Sequence, residues 1–167
     1  MGCNTGSAWI EFPARFLDDA EIRECLEEIE DVKFEGGLPV ASFDDEATID
    51  EGTFHLYRSE VCYGYFEDLE DLLKKKAVPF NRHTNMDWDI YPCDRFYRPV
   101  HEGTPEYDHE FILNPSTDEI CVSLEDIREL LGGLGAHPSY DAAAAITEYL
   151  DEHFPAYPPL ADWVKEG

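Results

Sequence analysis

Two segments of the chain place apolar residues three and four positions apart, as one face of an α-helix requires. The first segment follows Asp18 and Asp19, whose carboxylates can accept hydrogen bonds at a helix start, and it predicts a helix to about Glu30. Its inward positions are Ile22, Cys25, Leu26 and Ile29. The second predicted helix spans residues 66–77, with acids early and lysines late, as the helix dipole favours. Its inward positions are Phe66, Leu69, Leu72 and Leu73.

Strands are predicted where β-branched and aromatic side chains concentrate, in residues 9–12, 53–63, 79–82 and 95–100. A hairpin is predicted from residues 110–113 to 119–122, and helices are predicted after Ser123 and over residues 141–153. Because the order of these elements lacks a regular strand–helix–strand alternation, we expect an α+β fold with a small mixed or antiparallel sheet and three to four helices.

The length of 167 residues fits a single domain, residues 1–167, and residues 134–167 are compatible with a carboxy-terminal helical appendage. Five cysteines are widely spaced and form no Cys-x-x-Cys pair, so we expect reduced, mostly buried thiols. No apolar run is long enough to cross a membrane, and the amino terminus lacks the pattern of a signal peptide. The sequence therefore predicts a cytoplasmic protein of a bacterial host cell.

Charge is the most unusual property of the chain. The sequence holds 38 Asp and Glu against 12 Lys and Arg, which gives a formal net charge of −26. A net charge of about 2 to 8 is enough to keep a small domain in solution, so solubility alone does not explain this excess. Nucleic acids and anionic membranes would be repelled. Basic proteins and cations are the partners that remain, and a homodimer is also compatible with the sequence.

The acids concentrate in the first predicted helix, in a loop around residues 44–51 and in the first turns of the second predicted helix. An average of about one net charge per 300 Å² of folded surface is too dilute to imitate DNA, so mimicry requires these acids to lie on one face. The candidate acidic binding residues are Glu21, Glu24, Glu27, Glu28, Asp31, Asp44, Asp45, Glu46, Glu67, Asp68, Glu70 and Asp71. The alternative is that each set is only the solvent side of an amphipathic element.

Catalytic or cofactor chemistry has weak support in the sequence. The densest cluster of metal-ligand side chains lies in residues 101–110, where His101, Asp108 and His109 are the weak candidates, but their spacing matches no established motif. Residues 81–89 alternate polar side chains without the glycine and closing glutamate of a calcium loop. We therefore expect no cofactor, no bound metal and no enzymatic activity.

In size, charge and aromatic content, the chain resembles the small acidic antirestriction and anti-CRISPR proteins of phages and plasmids. The resemblance is carried by residues 18–31, 44–51 and 67–71. It implies an inhibitor that presents a DNA-like negative surface to a basic nucleic-acid-binding protein, such as a CRISPR or restriction nuclease. Three alternatives stay open: an immunity protein for a nuclease toxin, a globular protein with a halophile-type acidic surface, and a metal-dependent enzyme.

Overall fold

The computed structural model describes residues 4–41, 44–85, 90–101, 105–117, 119–121 and 159–164, together with single positions between 128 and 151. The chain divides into two compact units, one of residues 1–119 with 158–167 and one of residues 120–157. Every strand and helix given below belongs to the first unit. A carboxy-terminal appendage over residues 134–167 stays a prediction, because most of that segment lies outside the described residues.

The described elements are mostly strands. The strands are β1 (Thr5–Pro13), β2 (Lys33–Glu35), β3 (Leu38–Val40), β4 (Glu46–Asp50), β5 (Thr53–Cys62), β6 (Phe80–Thr84), β7 (Cys93–Arg98) and β8 (Tyr107–Ile112). The α-helices are α1 (Ala20–Glu28), α2 (Glu67–Lys75) and α3 (Leu160–Val164), and a 3-10 helix covers Ala14–Asp18. None of the helices in these ranges is long and apolar enough to span a membrane.

Six strands form one antiparallel sheet in the order β4-β5-β1-β6-β7-β8, and β2 and β3 form a separate hairpin. The central strand β1 alternates strictly, since Ala8, Ile10 and Phe12 are fully buried while Trp9 between them is exposed. Because successive side chains of a strand point to opposite faces, one face of the sheet forms the core and the other carries polar and aromatic groups. Residues of α1 and α2, among them Ile22, join the same core cluster.

The predicted α+β fold is wrong. Within the described ranges the protein is a six-stranded antiparallel sheet with a two-stranded hairpin, and only two of its three α-helices are as long as nine residues. The error comes in part from β4, whose sequence Glu-Ala-Thr-Ile-Asp is too acidic to indicate a strand and lies in the acidic loop expected around residues 44–51. It also comes from the hairpin of β2 and β3, which was not predicted. Edge strands tolerate such charge because one side of their backbone meets solvent rather than a neighbouring strand. The helices predicted after Ser123 and over residues 141–153 lie largely outside the described residues.

The expectation of reduced cysteines is wrong for one position. Cys62 at the end of β5 is disulfide-bonded, and its partner lies outside the described residues. Cys25 and Cys93 are free and buried, and Cys121 is free and exposed.

Candidate acidic interface

Helix α1 turns most of its acids toward solvent. The helix begins at Asp19, whose Oδ1 accepts hydrogen bonds from the backbone N–H of Glu21 at 3.0 Å and of Ile22 at 3.3 Å. With Ile22, Cys25 and Leu26 buried against the sheet, the opposite side of the helix is solvent-exposed. The exposed acids on that side and just beyond it are Glu21, Glu24, Glu27, Glu28 and Asp31.

Helix α2 lies beside α1 and runs in the opposite direction. The Nζ atom of Lys76, just after α2, lies 2.9 Å from Asp19 Oδ2 and 2.9 Å from Glu21 Oε1, both at the start of α1. At the other end, Asp68 in the first turn of α2 is close enough to affect the Cys25 thiol electrostatically. The exposed acids of the first half of α2, Glu67, Asp68 and Asp71, therefore lie beside the second half of α1.

Three lysines around these helices already have carboxylate partners, whereas Arg23 on α1 donates from Nε to Leu17 O at 3.1 Å and lies over the Phe34 ring. Lys74 Nζ lies 2.6 Å from Asp108 Oδ2, and Lys75 and Lys76 pair with the start of α1. In the described part of the chain, seven exposed carboxylates on α1, just after α1 and on α2 form no ion pair. These seven are called the acidic helical surface: Glu24, Glu27, Glu28, Asp31, Glu67, Asp68 and Asp71.

The acids of residues 44–46 differ in their exposure to solvent. Asp44 and Glu46 are exposed, as a binding surface requires. The Asp45 side chain is only 8% exposed, lies 2.8 Å from Arg58 Nε and accepts hydrogen bonds from the backbone and hydroxyl of Ser59. Arg58 also lies 3.1 Å from Glu30 Oε2, and burial raises the pKa of the Glu30 carboxyl despite this cation. Asp45 thus fixes β5 and is not available to a partner.

Glu70 was assigned to the acidic surface, but it lies inside the protein. Its side chain is 2% exposed, because residue 70 falls on the same helical face as Leu69 and Leu73. Glu70 Oε1 accepts the backbone N–H of Phe66 at 3.0 Å and lies 3.1 Å from Arg82 Nε, and Oε2 accepts from Arg95 Nη1 at 2.7 Å. This carboxylate joins α2 to β6 and β7.

The ion network around Glu70 extends across three strands. Arg95 forms a two-pronged pair with Asp108, through Nε at 2.9 Å and Nη2 at 3.0 Å. Arg82 is fully buried and also bonds Glu110 on β8. Burial disfavours the charged form of Asp108, but hydrogen bonds from Arg95 and Lys74 lower its pKa overall. Asp108 therefore serves as a structural ion-pair partner in this fold.

The weak metal candidates are not gathered at one point. Asp108 and His109 are adjacent on β8, so their side chains project to opposite faces of the sheet. His109 stacks with Phe111, at a ring-centre distance of 6.1 Å, and His101 contacts Trp163 at 4.6 Å. Among the residues that the structure describes, no group of three or more His, Cys, Asp or Glu side chains could hold a metal ion.

The sheet face opposite the helices carries histidine–carboxylate pairs. His83 stacks on Trp9 with ring centres 4.0 Å apart, and its Nδ1 atom bonds Asp94. His55 Nδ1 lies 3.2 Å from Glu11 Oε2 on the neighbouring strands. Each pair lies at one register position of adjacent strands, as cross-strand pairs do. They lie on two different strand pairs, β1 with β5 and β6 with β7.

A pocket of about 270 Å³ opens beside the end of β5. Its walls are Tyr63, Tyr65 and Tyr91 with two isoleucines, and Cys93 and Glu110 also line it. The meeting of these residues in one pocket was not predicted from the sequence. A local signal existed in the pair of tyrosines around Gly64, because two exposed aromatics at a tight turn are unusual for a surface loop.

Comparison of the chain with protein-family models, with curated proteins and with solved structures gives no match.

Proposed function

We propose that this protein binds a basic, nucleic-acid-binding protein through the acidic helical surface and keeps nucleic acid away from it. The observation that supports the proposal is the placement of seven exposed carboxylates, unpaired among the described residues, on α1, just after α1 and on α2, next to three lysines that are already paired. A CRISPR or restriction nuclease fits this role, because such enzymes hold nucleic acid in positively charged channels.

The spacing of the acids suits a phosphate-binding surface. One turn of an α-helix rises about 5.4 Å, so acids on successive turns recur at about the distance between phosphates along a strand. The exposed positions 24, 27, 28 and 31 follow this repeat on α1 and just after it. A concentrated negative surface also accelerates encounter with a basic partner by about 10- to 1,000-fold at low salt. Rapid, salt-sensitive association is the expected behaviour of such an inhibitor.

This role involves no catalysis by the protein itself and takes place in the cytoplasm of a bacterial host cell. Inhibition of the target nuclease should then be stoichiometric, with one inhibitor neutralising a fixed number of nuclease molecules. Disulfides persist mainly in oxidising compartments, so a cytoplasmic role requires inhibition to survive reduction of Cys62. Inhibition assays should therefore be run both with and without dithiothreitol.

The decisive experiment is capture from a bacterial lysate with immobilised protein, followed by competition with short duplex DNA. The surface variant is E24Q, E27Q, E28Q and D31N. Its matched control removes the same number of charges from exposed positions on the hairpins: E35Q, D50N, E51Q and E60Q. We expect the wild type and the control to capture a basic protein that DNA displaces, and the surface variant to bind it roughly 10- to 100-fold more weakly.

Two outcomes would contradict the proposal. If the surface and control variants bind the captured protein equally well, the acidic helical surface is not the interface. If the wild-type protein folds only in molar salt, its acidity serves solvation, as in a halophile-type surface, and the charge carries no information about a partner. Circular dichroism at 0.1 M and 2 M NaCl tests the second outcome before any capture is attempted.

A further inference from the structure

The pocket beside β5 combines aromatic walls with one carboxylate. Tyr91 is 70% exposed and Tyr63 is 52% exposed, and both open onto the same pocket of about 270 Å³ as Tyr65 and Glu110. Single exposed aromatics are ordinary on protein surfaces, whereas several around one concave site indicate binding. Aromatic ring faces carry partial negative charge, so a pocket of this composition attracts organic cations.

The pocket wall already holds one guanidinium group. The guanidinium carbon of Arg82 lies 4.5 Å from the centre of the Tyr65 ring, and its Nη2 atom bonds Glu110 Oε2. Among the described residues, the other oxygen, Glu110 Oε1, has only a long contact of 3.4 Å with the Tyr65 hydroxyl, and the Glu110 side chain is 36% exposed. Because Glu110 lines the pocket, this oxygen is available to a second cation.

Arg82 does not close the pocket to another positive charge. Its guanidinium is compensated by two carboxylates, Glu70 and Glu110, and it is fully buried behind the Tyr65 ring. Burial and then the nearby Glu110 raise the pKa of the Tyr65 phenol, so its ring stays neutral at physiological pH. The strongly negative net charge of −26 adds a long-range attraction for cations.

The Tyr63 wall of the pocket has a strained backbone. Tyr63 has a positive φ of 52°, in the left-handed region that disfavours side chains with a β-carbon, and Gly64 follows at 75°. A β-carbon on Gly64 would lie 2.1 Å from Thr84 Cγ2, so only glycine fits there. The backbone of Tyr63 is held by its N–H, which donates to Asn4 O at 2.7 Å. A strained tyrosine in place of glycine or asparagine is consistent with a functional ring at this position.

We infer that this pocket binds a guanidinium group, such as that of an arginine side chain. The planar cation stacks on the tyrosine rings and donates hydrogen bonds to Glu110 Oε1, as Arg82 does with Tyr65 and Glu110 Oε2 from the protein side. The guanidinium comes either from an arginine of the basic partner or from a free small molecule. Only the first of these sources rests on the proposed function. Binding of the group itself requires no contact with the acidic helical surface.

The first test titrates the protein with N-acetyl-arginine amide at constant ionic strength and follows ¹³C-labelled tyrosine rings by NMR. N-acetyl-citrulline amide is the control probe, because it has nearly the same shape and no charge. We expect saturable shifts at a few of the nine tyrosines, a dissociation constant in the millimolar range, and binding of the citrulline probe at least fivefold weaker. Equal binding of both probes, or shifts that do not saturate, would overturn the inference.

Variants locate the site. Tyr91→Leu removes a ring face from a highly exposed position and should weaken arginine-probe binding roughly two- to fivefold, as the loss of one cation–π contact does. Tyr57→Leu is the matched control, since Tyr57 pairs with Trp9 on the opposite face of the sheet. Equal weakening by both changes would place the binding elsewhere and overturn the inference.

A last comparison shows whether the guanidinium belongs to a protein partner or to a free compound. It also tests the pocket independently of the acidic interface. If the captured partner binds Tyr91→Leu more weakly than Tyr57→Leu, the group belongs to the partner. If partner binding is unchanged while the titration succeeds, the pocket takes a free guanidinium compound. The surface variant should bind the arginine probe like the wild type, so a failure of the acidic interface leaves the titration result standing.

Discussion

Glu70→Gln is the substitution that most directly tests how the sheet and α2 are held together. The change keeps the shape of the side chain and an acceptor for the Phe66 N–H, but removes the charge that faces Arg82 and Arg95. Breaking a buried ion pair by removing one partner costs about 3 to 5 kcal/mol. Because both arginines keep a second carboxylate, we expect a loss near the lower end, about 3 kcal/mol.

The measurement is urea unfolding followed by circular dichroism at pH 7. Neutralising any acid in a chain of charge −26 also relieves self-repulsion, so the control must change the charge equally. Glu67→Gln does so from an exposed position on the same helix, and we expect it to alter the free energy of unfolding by less than about 0.5 kcal/mol. If the two variants are equally stable, the buried network does not contribute to stability and the reasoning fails. The difference should persist in 1 M NaCl, because salt screens buried pairs poorly.

Three further experiments each test one local feature of the structure. Gly64→Ala should destabilise the protein by about 2 to 4 kcal/mol in the same unfolding assay, because the new β-carbon would clash with Thr84 Cγ2. Adding Thr84→Ser to the Gly64→Ala variant removes that methyl group and should recover part of the lost stability. Burial raises the pKa of the Cys25 thiol to about 11, so Ellman's reagent should modify exposed Cys121 promptly and Cys25 only on unfolding. Burial raises the pKa of the Glu30 carboxyl above its value in the unfolded chain. The free energy of unfolding should therefore fall as pH rises from the unfolded to the folded pKa, because the folded protein must then bury a charge. Glu30→Gln should remove this fall from the stability profile measured between pH 4 and 8.

Helices α1 and α2 were predictable because their signals are local. Asp19 caps α1 and the spacing of its apolar residues is helical, so the predicted helix of residues 18–30 contains the observed Ala20–Glu28. The predicted helix of residues 66–77 likewise contains Glu67–Lys75. Strand β5 was placed to within one residue, at Thr53–Cys62. In each case the apolar pattern and the terminating residues agree on one element.

The remainder of the fold depends on contacts that one segment does not reveal. Asp and Glu are poor strand formers, so β4 resembled a loop until its pairing with β5 was known. Glu70 is an acid on an apolar helix face, and only the positions of Arg82 and Arg95 on other strands explain its burial. The same holds for Asp45, whose partner Arg58 lies on β5. Charge alone identified where acids are frequent, but it could not separate surface acids from ion-pair partners.

The acidic edge strand has a consequence for behaviour at high concentration. An unpaired strand edge is a template on which a second copy of the same chain can add, and this is how many β-rich proteins begin to form fibres. The exposed side chains of β4 include Glu46 and Asp50, and the turn after it adds Glu51. A second β4 aligned beside the first would bring like charges together at each end of the strand. The sequence feature that hid this strand from prediction thus also protects this edge of the sheet from growing by self-addition.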